Sequence, residues 1–458
     1  MSGALVHDIL GQLGRKRRAE DSLVLTGGDD PVFVTPWRIA HAGSAALGAV
    51  GLALSDLWRL RTGKPQAVTI DRRAATASLR SNTYVRQNGE KPVSWDPLAG
   101  HYPTRDGRTM FLHTNHPHHR AGALSISGAK AETREALAEA VAKWDGRAIE
   151  EAIASGGCVG GLVRSRDEWN AHPHGIAVAK LPLIDIVKIG EAPPRPLPTG
   201  NRPLGGVRAL DLTRVLAGPT SGRVLAENGA EVLHIAAQHL PYQTEILMDT
   251  GHGKRCAWLD LREPAGIETL AGLVREADVF TQGYRPGTLA ARGFSPERLA
   301  GLRPGIVCVS ICAYSHEGPW AARRGFDSIV QNVTGLSATQ GTLEKPRNLP
   351  VQANDYIAGY LAALGAMIGR ARRVEEGGSW LVRVSLVQVA HWIASLGTID
   401  GSKGAAELTD DELANLITES VGPFGRLNHL RPIVRLSETP AFYARPAEPL
   451  GSSPARWT

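Results

Sequence analysis

The stretch LGGVRALDLTRVLAGPTSGRVLAENGAEVLHI, residues 204–235, decides the fold class. Its apolar run from Val207 to Leu212 ends in a polar turn and predicts a buried strand. Pro219 is typical of a first helical turn, and Gly229 ends that helix before a second strand, Glu231 to Ile235. The order of strand, turn, helix and strand predicts an α/β fold built on a Rossmann-like parallel sheet.

One acidic residue stands at the start of a long helix farther along the chain. The segment NDYIAGYLAALGAM, residues 354–367, begins with Asp355 and is rich in Gly and Ala. A free Asp has a pKa near about 4, so its carboxylate can attack a carbonyl at neutral pH without a base. This placement suggests a nucleophile, but on this segment alone a helix N-cap is the favoured interpretation, and the motifs around it decide between the two. The small residues favour either close approach of a ligand or partner chain, or tight helix packing.

Four further motifs lie between these two segments. They are GHGKRCAWLDL (251–261), GYRPGTLAARGF (283–294), RPGIVCVSICAY (303–314) and RRGFDSIVQNVTG (323–335). In this order the set resembles the family III CoA-transferases, the group of formyl-CoA and carnitine CoA-transferases, with 2-methylacyl-CoA racemases as close relatives. An ordered set of motifs is far more specific than a lone glycine pattern. The resemblance implies a Rossmann-like CoA-transferase domain over residues 204–400, with Asp355 as its nucleophile.

The resemblance also implies a reaction and its participants. CoA moves from an acyl-CoA thioester to a carboxylic acid through an aspartyl-CoA intermediate on Asp355, so CoA and acyl-CoA are substrates. One thioester replaces another, so neither ATP nor a metal is expected. The family-matched CoA contacts are Val215, Ala217, Leu259, Arg262, Tyr284, Arg292 and Arg324. Arginines are suited to phosphates and apolar residues to adenine.

Some positions depart from the family pattern. Ala236 and Ala237 stand where an acidic-basic pair usually contacts the nucleotide, and Leu216 replaces the Gln of formyl-CoA transferases, which argues against that oxalate-related substrate. Phe326 stands where racemases carry a His, so proton transfer at the α-carbon loses one partner. Asp327 beside it is interpreted as a structural helix start. The alternatives to a CoA-transferase are a non-catalytic CoA-binding or scaffold homologue, and an acyl-CoA racemase or isomerase.

A Pro-rich linker, residues 196–203, divides the chain into halves of comparable size. Residues 1–195 are predicted to form a domain that resembles the family's carboxy-terminal half and lacks the nucleophile. Residues 401–458 are predicted to be a connection, with a short helix, and a closing tail that packs back on the core.

The first half also carries a partial repeat of the second. AALGAV followed by AVTID (residues 45–71) echoes AALGAM followed by LVRVSL (residues 362–386). Registering the two copies places Arg38 at the position of Asp355. A truncated tandem fusion and a permuted arrangement both account for this order.

Composition bounds the class of protein. With 458 residues, 43% hydrophobic and 21% charged, the composition predicts a globular protein with a large core, as either two domains or one elaborated α/β unit. The net charge of +6 favours an anionic partner such as CoA, or simply a solvated basic surface. The basic run at residues 15–18 has no interleaved aromatics, so a solvated helix face fits it better than nucleic acid.

The remaining patterns exclude other classes. Four cysteines without a CxxC pair argue against a disulfide framework, and no signal peptide or membrane span is found, so a cytoplasmic protein is expected. His113, His116, His118 and His119 are interrupted by Pro117 and lack regular ligand spacing, so a loop lining the acyl pocket is favoured over a metal site. The family resemblance implies a homodimer.

Overall fold

The computed structural model describes residues 1–29, 31–92, 95–400 and 405–458. Before residue 191 the helices are α1 (Ser2–Gln12), α2 (Ile39–Thr62), α3 (Arg72–Ser78), α4 (Pro117–Ser127), α5 (Arg134–Val141), α6 (Gly146–Ser155), α7 (Arg166–Ala171) and α8 (Pro173–Val178). The strands there are β1 (Leu23–Thr26), β2 (Val68–Asp71), β3 (Arg86–Gln87), β4 (Gly100–Pro103), β5 (Thr109–Leu112), β6 (Gly160–Leu162) and β7 (Asp185–Gly190).

The second half begins with the strand and helix that the opening stretch predicts. Its helices are α9 (Ala217–Glu227), α10 (Thr244–Thr250), α11 (Pro264–Glu276), α12 (Pro296–Leu302), α13 (Asp327–Val333), α14 (Leu336–Gln340), α15 (Ala353–Glu375), α16 (Leu386–Ser395) and α17 (Asp410–Leu416). Its strands are β8 (Arg208–Leu212), β9 (Glu231–Ala236), β10 (Lys254–Trp258), β11 (Val279–Gln282), β12 (Val307–Cys312), β13 (Ser379–Ser385), β14 (Ile417–Gly422), β15 (Gly425–Leu430) and β16 (Arg435–Leu436). Helix α9 starts at Ala217, just before the predicted Pro219.

Within the described residues the largest sheet has seven strands, in the order β10-β9-β8-β11-β12-β13-β7. All neighbours are parallel except β7, which runs antiparallel to β13. The predicted α/β class with a Rossmann-like parallel sheet is confirmed. The chain leaves β8 towards β9 on one side and returns to β11 on the other, so a crevice opens between the carboxyl ends of β8 and β11. Ligands of open α/β sheets bind at such a switch point.

The predicted repeat corresponds to two long helices that pack against each other, α2 and α15. Each is followed by a strand, but β13 joins the large sheet whereas β2 pairs with β1 and β16 in a separate three-stranded sheet. Arg38 is the N-cap residue of α2. The two origins proposed for the repeat therefore both stay open.

The two halves predicted on either side of residues 196–203 exchange strands. Strand β7, from before the Pro-rich segment, forms an edge of the large sheet, and β16, from the closing tail, pairs with β2 of the first half. Within the predicted connection, residues 401–404 lie outside the described residues, and the expected short helix is α17. The division into domains stays a prediction.

The basic run at residues 15–18 is not the solvated helix face that was expected. It follows the end of α1, and Arg15 is only 9% exposed because it is paired with Asp21 and Asp56. Burial of a guanidinium is tolerated where carboxylates compensate its charge. Arg15 therefore belongs to an interior group of ion pairs, whereas Lys16 and Arg17 of the same run are exposed.

Glycines make α15 slim, so other elements pack directly on its backbone. A Cβ atom at Gly359 would lie 2.5 Å from the carbonyl oxygen of Ala217 and 2.7 Å from Thr220 Cβ, both in α9. Gly365 and Gly369 lie in the same way against Val382 of β13 and Val307 of β12. Of the two interpretations of these small residues, tight packing is confirmed at all three glycines.

We expect Gly359→Ala to destabilise the protein by about 1–3 kcal/mol, because the added methyl group forces α9 and α15 apart. Gly272→Ala in α11 is the matched control, since a Cβ there meets nothing within 4 Å. It should raise the free energy of unfolding by up to about 1 kcal/mol through helix propensity. Urea denaturation measures both, and equal effects of the two substitutions would contradict the packing argument.

Candidate active site

A cleft of about 370 Å³ opens at the carboxyl ends of the parallel strands. Its walls come from the turn after β8, the ends of β9 and β10, the loop after β11, the segment before α13, and the starts of α4 and α15. The eight residues predicted from the sequence all line it: Asp355, Val215, Ala217, Leu259, Arg262, Tyr284, Arg292 and Arg324. Residues far apart in sequence are thus brought together because parallel strands end at one edge of the sheet.

Asp355 is the third residue of α15 and is only 6% exposed. The capping interpretation of this residue is wrong, because Gln352 occupies the N-cap position. Instead, Oδ2 of Asp327 accepts a hydrogen bond from the backbone N–H of Asp355 at 2.9 Å. Asp327 also begins α13, as expected of a structural helix start. One carboxylate therefore holds the helix end, and the other is left to face the cleft.

Burial raises the pKa of the Asp355 carboxyl well above its usual range, and the neighbouring Asp327 raises it further. Burial likewise raises the pKa of Asp327, to about 6. Two carboxyl groups at one buried place resist double ionisation, whereas the N terminus of α15 favours negative charge. The ionised form of Asp355 is therefore gained as the pH rises, and it is favoured when positive charge or hydrogen-bond donors enter the cleft.

The arginines of the cleft differ in how their charges are compensated. Arg262 forms an ion pair with Asp260 at 2.6 Å, and Arg292 donates to the carbonyl of Leu261 at 2.7 Å. Arg324 has no carboxylate partner among the described residues, and burial lowers its pKa, helped by the charges of Arg285 and Arg214.

Arg214 and Arg285 belong to the same uncompensated group and were missed in the sequence. Each bonds only weakly to a carbonyl, that of Pro241 at 3.4 Å and that of Ala322 at 3.3 Å. Their sequence signal is adjacency, since they flank the predicted Val215 and Tyr284. Three clustered guanidinium groups without carboxylates make this wall of the cleft suited to an anionic ligand.

A wall of imidazoles surrounds Phe326. The ring of His113 stacks on it at a centroid distance of 4.2 Å, with His116 at 5.4 Å and His119 at 6.1 Å. Burial lowers the pKa of His116 to about 4 and those of His113 and His119 to about 3. These rings are therefore neutral at physiological pH. His116, His118 and His119 line the cleft together with Asp355, so the absence of His at position 326 does not deprive the cleft of imidazole.

The histidine wall has no neighbouring group that completes a metal site. Across the described ranges, no three His, Cys, Asp or Glu side chains are grouped so as to hold a metal ion. His119 Nδ1 is buried and has no hydrogen-bond partner in the described part of the chain. Its ring thus presents an unused polar atom next to the cleft.

The family model described as CoA-transferase family III matches residues 204–421, which include β8 to β13, α15 and most of the cleft. Residues 204–421 belong to CoA-transferase family III. The match covers all six motifs in full and contains Asp355 and every predicted contact residue. The histidine wall lies before it, in the first half of the chain.

Three CoA-transferases illustrate the similarity. "Acetyl-coenzyme A transferase nodX" of Hypoxylon pulicicidum is 28% identical over 82% of this chain and 72% of its own length. "Acyl-CoA transferase" of Gibberella moniliformis is 34% identical over 55% of this chain and 47% of its own. "Succinyl-CoA--D-citramalate CoA-transferase" of Chloroflexus aurantiacus is 30% identical over 41% of this chain and 50% of its own. The chain thus matches about half the length of the last two proteins.

Among the helices of the described residues, none combines the length and the apolar character that crossing a bilayer requires.

Proposed function

We propose that this family III protein transfers CoA from an acyl-CoA thioester to a carboxylic acid, with Asp355 as the nucleophile. The observation that carries the proposal is the buried Asp355 carboxyl, which faces a cleft that also holds an uncompensated arginine cluster. The names of the relatives, which include acyl-CoA and succinyl-CoA transferases, support the same reaction class. The donor and acceptor acids that these names specify are those of the relatives, and the proposal for this protein covers the reaction class only.

The reaction proceeds by four exchanges at acyl carbon. A carboxylate oxygen of Asp355 attacks the thioester carbonyl, the C–S bond breaks, and the CoA thiolate leaves a mixed anhydride. The thiolate then attacks the Asp355 carbonyl carbon, which releases the donor acid as its carboxylate and forms the aspartyl-CoA thioester. The acceptor carboxylate next attacks the carbonyl carbon of the aspartyl-CoA thioester, which releases the CoA thiolate and forms a second mixed anhydride. The thiolate then attacks the acceptor's carbonyl carbon, which forms the new acyl-CoA and regenerates the Asp355 carboxylate. Each step forms one acyl bond as another breaks, so no ATP is consumed.

The surroundings of Asp355 account for its reactivity. A carboxylate removed from water is a stronger nucleophile because little hydration must be stripped from it, while the cost appears as its raised pKa. The phosphates of CoA would occupy the wall of Arg214, Arg285 and Arg324, and Val215, Ala217, Leu259 and Tyr284 would contact its apolar parts. The homodimer and the cytoplasmic location stay predictions of the sequence.

Replacing the nucleophile tests the mechanism. Asp355→Asn keeps the shape of the side chain but cannot form an anhydride, so we expect CoA exchange to fall by at least about 10³-fold. Intact-protein mass spectrometry should detect a CoA adduct on the wild type after acyl-CoA is added, and hydroxylamine should convert it to a hydroxamate at Asp355. Asp260→Asn, the same change elsewhere in the cleft, should retain the adduct. A wild type that binds CoA but forms no adduct would instead indicate a non-catalytic CoA-binding homologue.

The arginine cluster makes a second prediction. Arg324→Gln should weaken CoA binding by about tenfold, since it removes a cation that forms no ion pair with a carboxylate in the described part of the chain. Arg262→Gln should have a smaller effect, because Arg262 already forms an exposed ion pair with Asp260. Titration calorimetry with CoA at fixed ionic strength compares the two. A larger loss in Arg262→Gln would contradict the assignment of the phosphate wall.

A second candidate function is proton exchange at the α-carbon of an acyl-CoA, as in a racemase. It is favoured by the neutral imidazoles of His116 and His119 beside Phe326, in the same cleft as the Asp355 carboxyl. A neutral imidazole can accept the α-proton on one face, while a carboxylic acid donates its own proton to the α-carbon on the opposite face. His116 and His119 lie at the start of α4, whereas the racemases carry their histidine at the position of Phe326.

Incubation in deuterated water separates the two candidates. A racemase would replace the α-hydrogen of an acyl-CoA by deuterium, as NMR and mass spectrometry detect, and His116→Gln together with His119→Gln would abolish this exchange. A CoA-transferase would show no exchange in the wild type. We expect the second result, because the pKa values of the two imidazoles, about 4 and about 3, make them weak bases.

A further inference from the structure

Directly beneath the cleft lies a buried ion pair that the proposed mechanism does not use. Lys254, the first residue of β10, and Asp211, near the end of β8, are each 1% exposed. Lys254 Nζ donates to Asp211 Oδ2 at 2.8 Å and to the carbonyl of Pro219 at 2.7 Å. The lysine thus reaches past β9, which lies between these strands, to the first turn of α9.

The other oxygen of Asp211 holds the start of the turn that follows β8. Oδ1 accepts the backbone N–H of Thr213 at 3.1 Å and also the Thr213 hydroxyl. His234 Nδ1 of β9 lies 3.3 Å from Asp211 Oδ2. Both ends of the segment 213–219 are therefore fixed by one ion pair, at Thr213 through Asp211 and at Pro219 through Lys254.

That segment carries a backbone conformation that its residues do not favour. Val215, which lines the cleft, has φ of +68°, in the left-handed region that β-branched residues seldom adopt. Such a conformation persists only where the surrounding structure determines it. Here the segment around Val215 is held on both sides by hydrogen bonds, from Thr213 to Asp211 and from Lys254 to the carbonyl of Pro219.

Two glycines let α9 close on the ion pair. A Cβ atom at Gly222 would lie 2.5 Å from Asp211 Oδ2 and 2.8 Å from Lys254 Nζ, and one at Gly218 would collide with Thr213. On its opposite side the start of α9 contacts Gly359, one helical turn after Asp355 in α15. The ion pair, the turn, α9 and the nucleophile helix form one continuous series of contacts.

We propose that Lys254 and Asp211 are positioning residues for CoA transfer: they hold Val215 to Ala217 in the conformation that forms the cleft wall, and hold α9 against the helix of Asp355. The inference rests on the proposed function and adds two residues to it. A buried ion pair is weak support for stability in itself, because desolvation offsets the attraction between its charges. A role in fixing one conformation of the turn explains why the pair occupies this place.

The test compares Lys254→Met with Arg15→Met, which removes the cation of another buried ion pair, one that joins the segment after α1 to Asp56 of α2 and has no bond to the turn 213–219. At temperatures where both variants are folded by circular dichroism, Lys254→Met should weaken CoA binding and lower kcat by about tenfold to a hundredfold. Arg15→Met should change neither by more than about twofold. Equal effects of the two variants, or none from Lys254→Met, would overturn the proposal.

A double-mutant cycle supplies a readout that loss of stability would not mimic. Val215→Gly makes φ of +68° unstrained. It should weaken CoA binding in the wild-type background, where an apolar contact is lost, yet restore part of the binding and of kcat in the Lys254→Met background. Additive effects would overturn the link between the ion pair and the turn.

A milder variant covers the case in which Lys254→Met does not fold. Thr213→Val removes the hydroxyl bond to Asp211 and keeps the shape of the side chain, so the same partial rescue by Val215→Gly is expected there, with a smaller loss to restore. Failure of the positioning role can also be distinguished from failure of the proposed CoA-transfer function. In that case the wild type itself would form no CoA adduct, whereas failure of the positioning role leaves the wild-type adduct intact and the variants equally active.

Discussion

Two carboxyl groups lie together out of water at the N terminus of α15, and the geometry of the site depends on how their charges are accommodated. Asp327 accepts the backbone N–H of Asp355, which satisfies one donor of the helix end. Asp355 then has its carboxyl free to face the cleft, with a raised pKa as the consequence of burial beside a like charge. The positive end of the helix dipole stabilises the ionised form of a carboxyl group held in this way.

Four neighbouring elements pack on α15 and hold its N terminus in place. Glycines bring the backbone of α15 against α9, β13 and β12, and α2 of the first half packs on it as well. Because interiors are close-packed, a shift of any of these elements is transmitted to Asp355. The first half also provides the imidazole wall around Phe326, so the cleft is composed of residues from both parts of the chain.

Charge is distributed unevenly around the cleft. On one wall Arg214, Arg285 and Arg324 have no carboxylate partners among the residues that the structure describes, whereas Lys254 and Asp211 beneath the floor compensate each other's charge. The same residue types therefore have different consequences. Uncompensated guanidinium groups at the surface of a cleft attract anions, while a paired charge in the interior determines the conformation of the backbone that it holds.

The sequence by itself determined the α/β class and singled out Asp355 and seven further residues that line one cleft, because local periodicity and ordered motifs are written along the chain. It did not reveal the hydrogen bond from the Asp355 backbone to Asp327, and it misjudged the basic run near Arg15, because the partners, Asp327 and Asp56, are distant in sequence. Only the tertiary structure decided which arginines form no ion pair with a carboxylate in the described residues, that His113, His116 and His119 surround Phe326, and that Lys254 reaches across β9 to α9. Each of these depends on contacts between separate strands and helices, and the register that brings them together is fixed only when the sheet assembles.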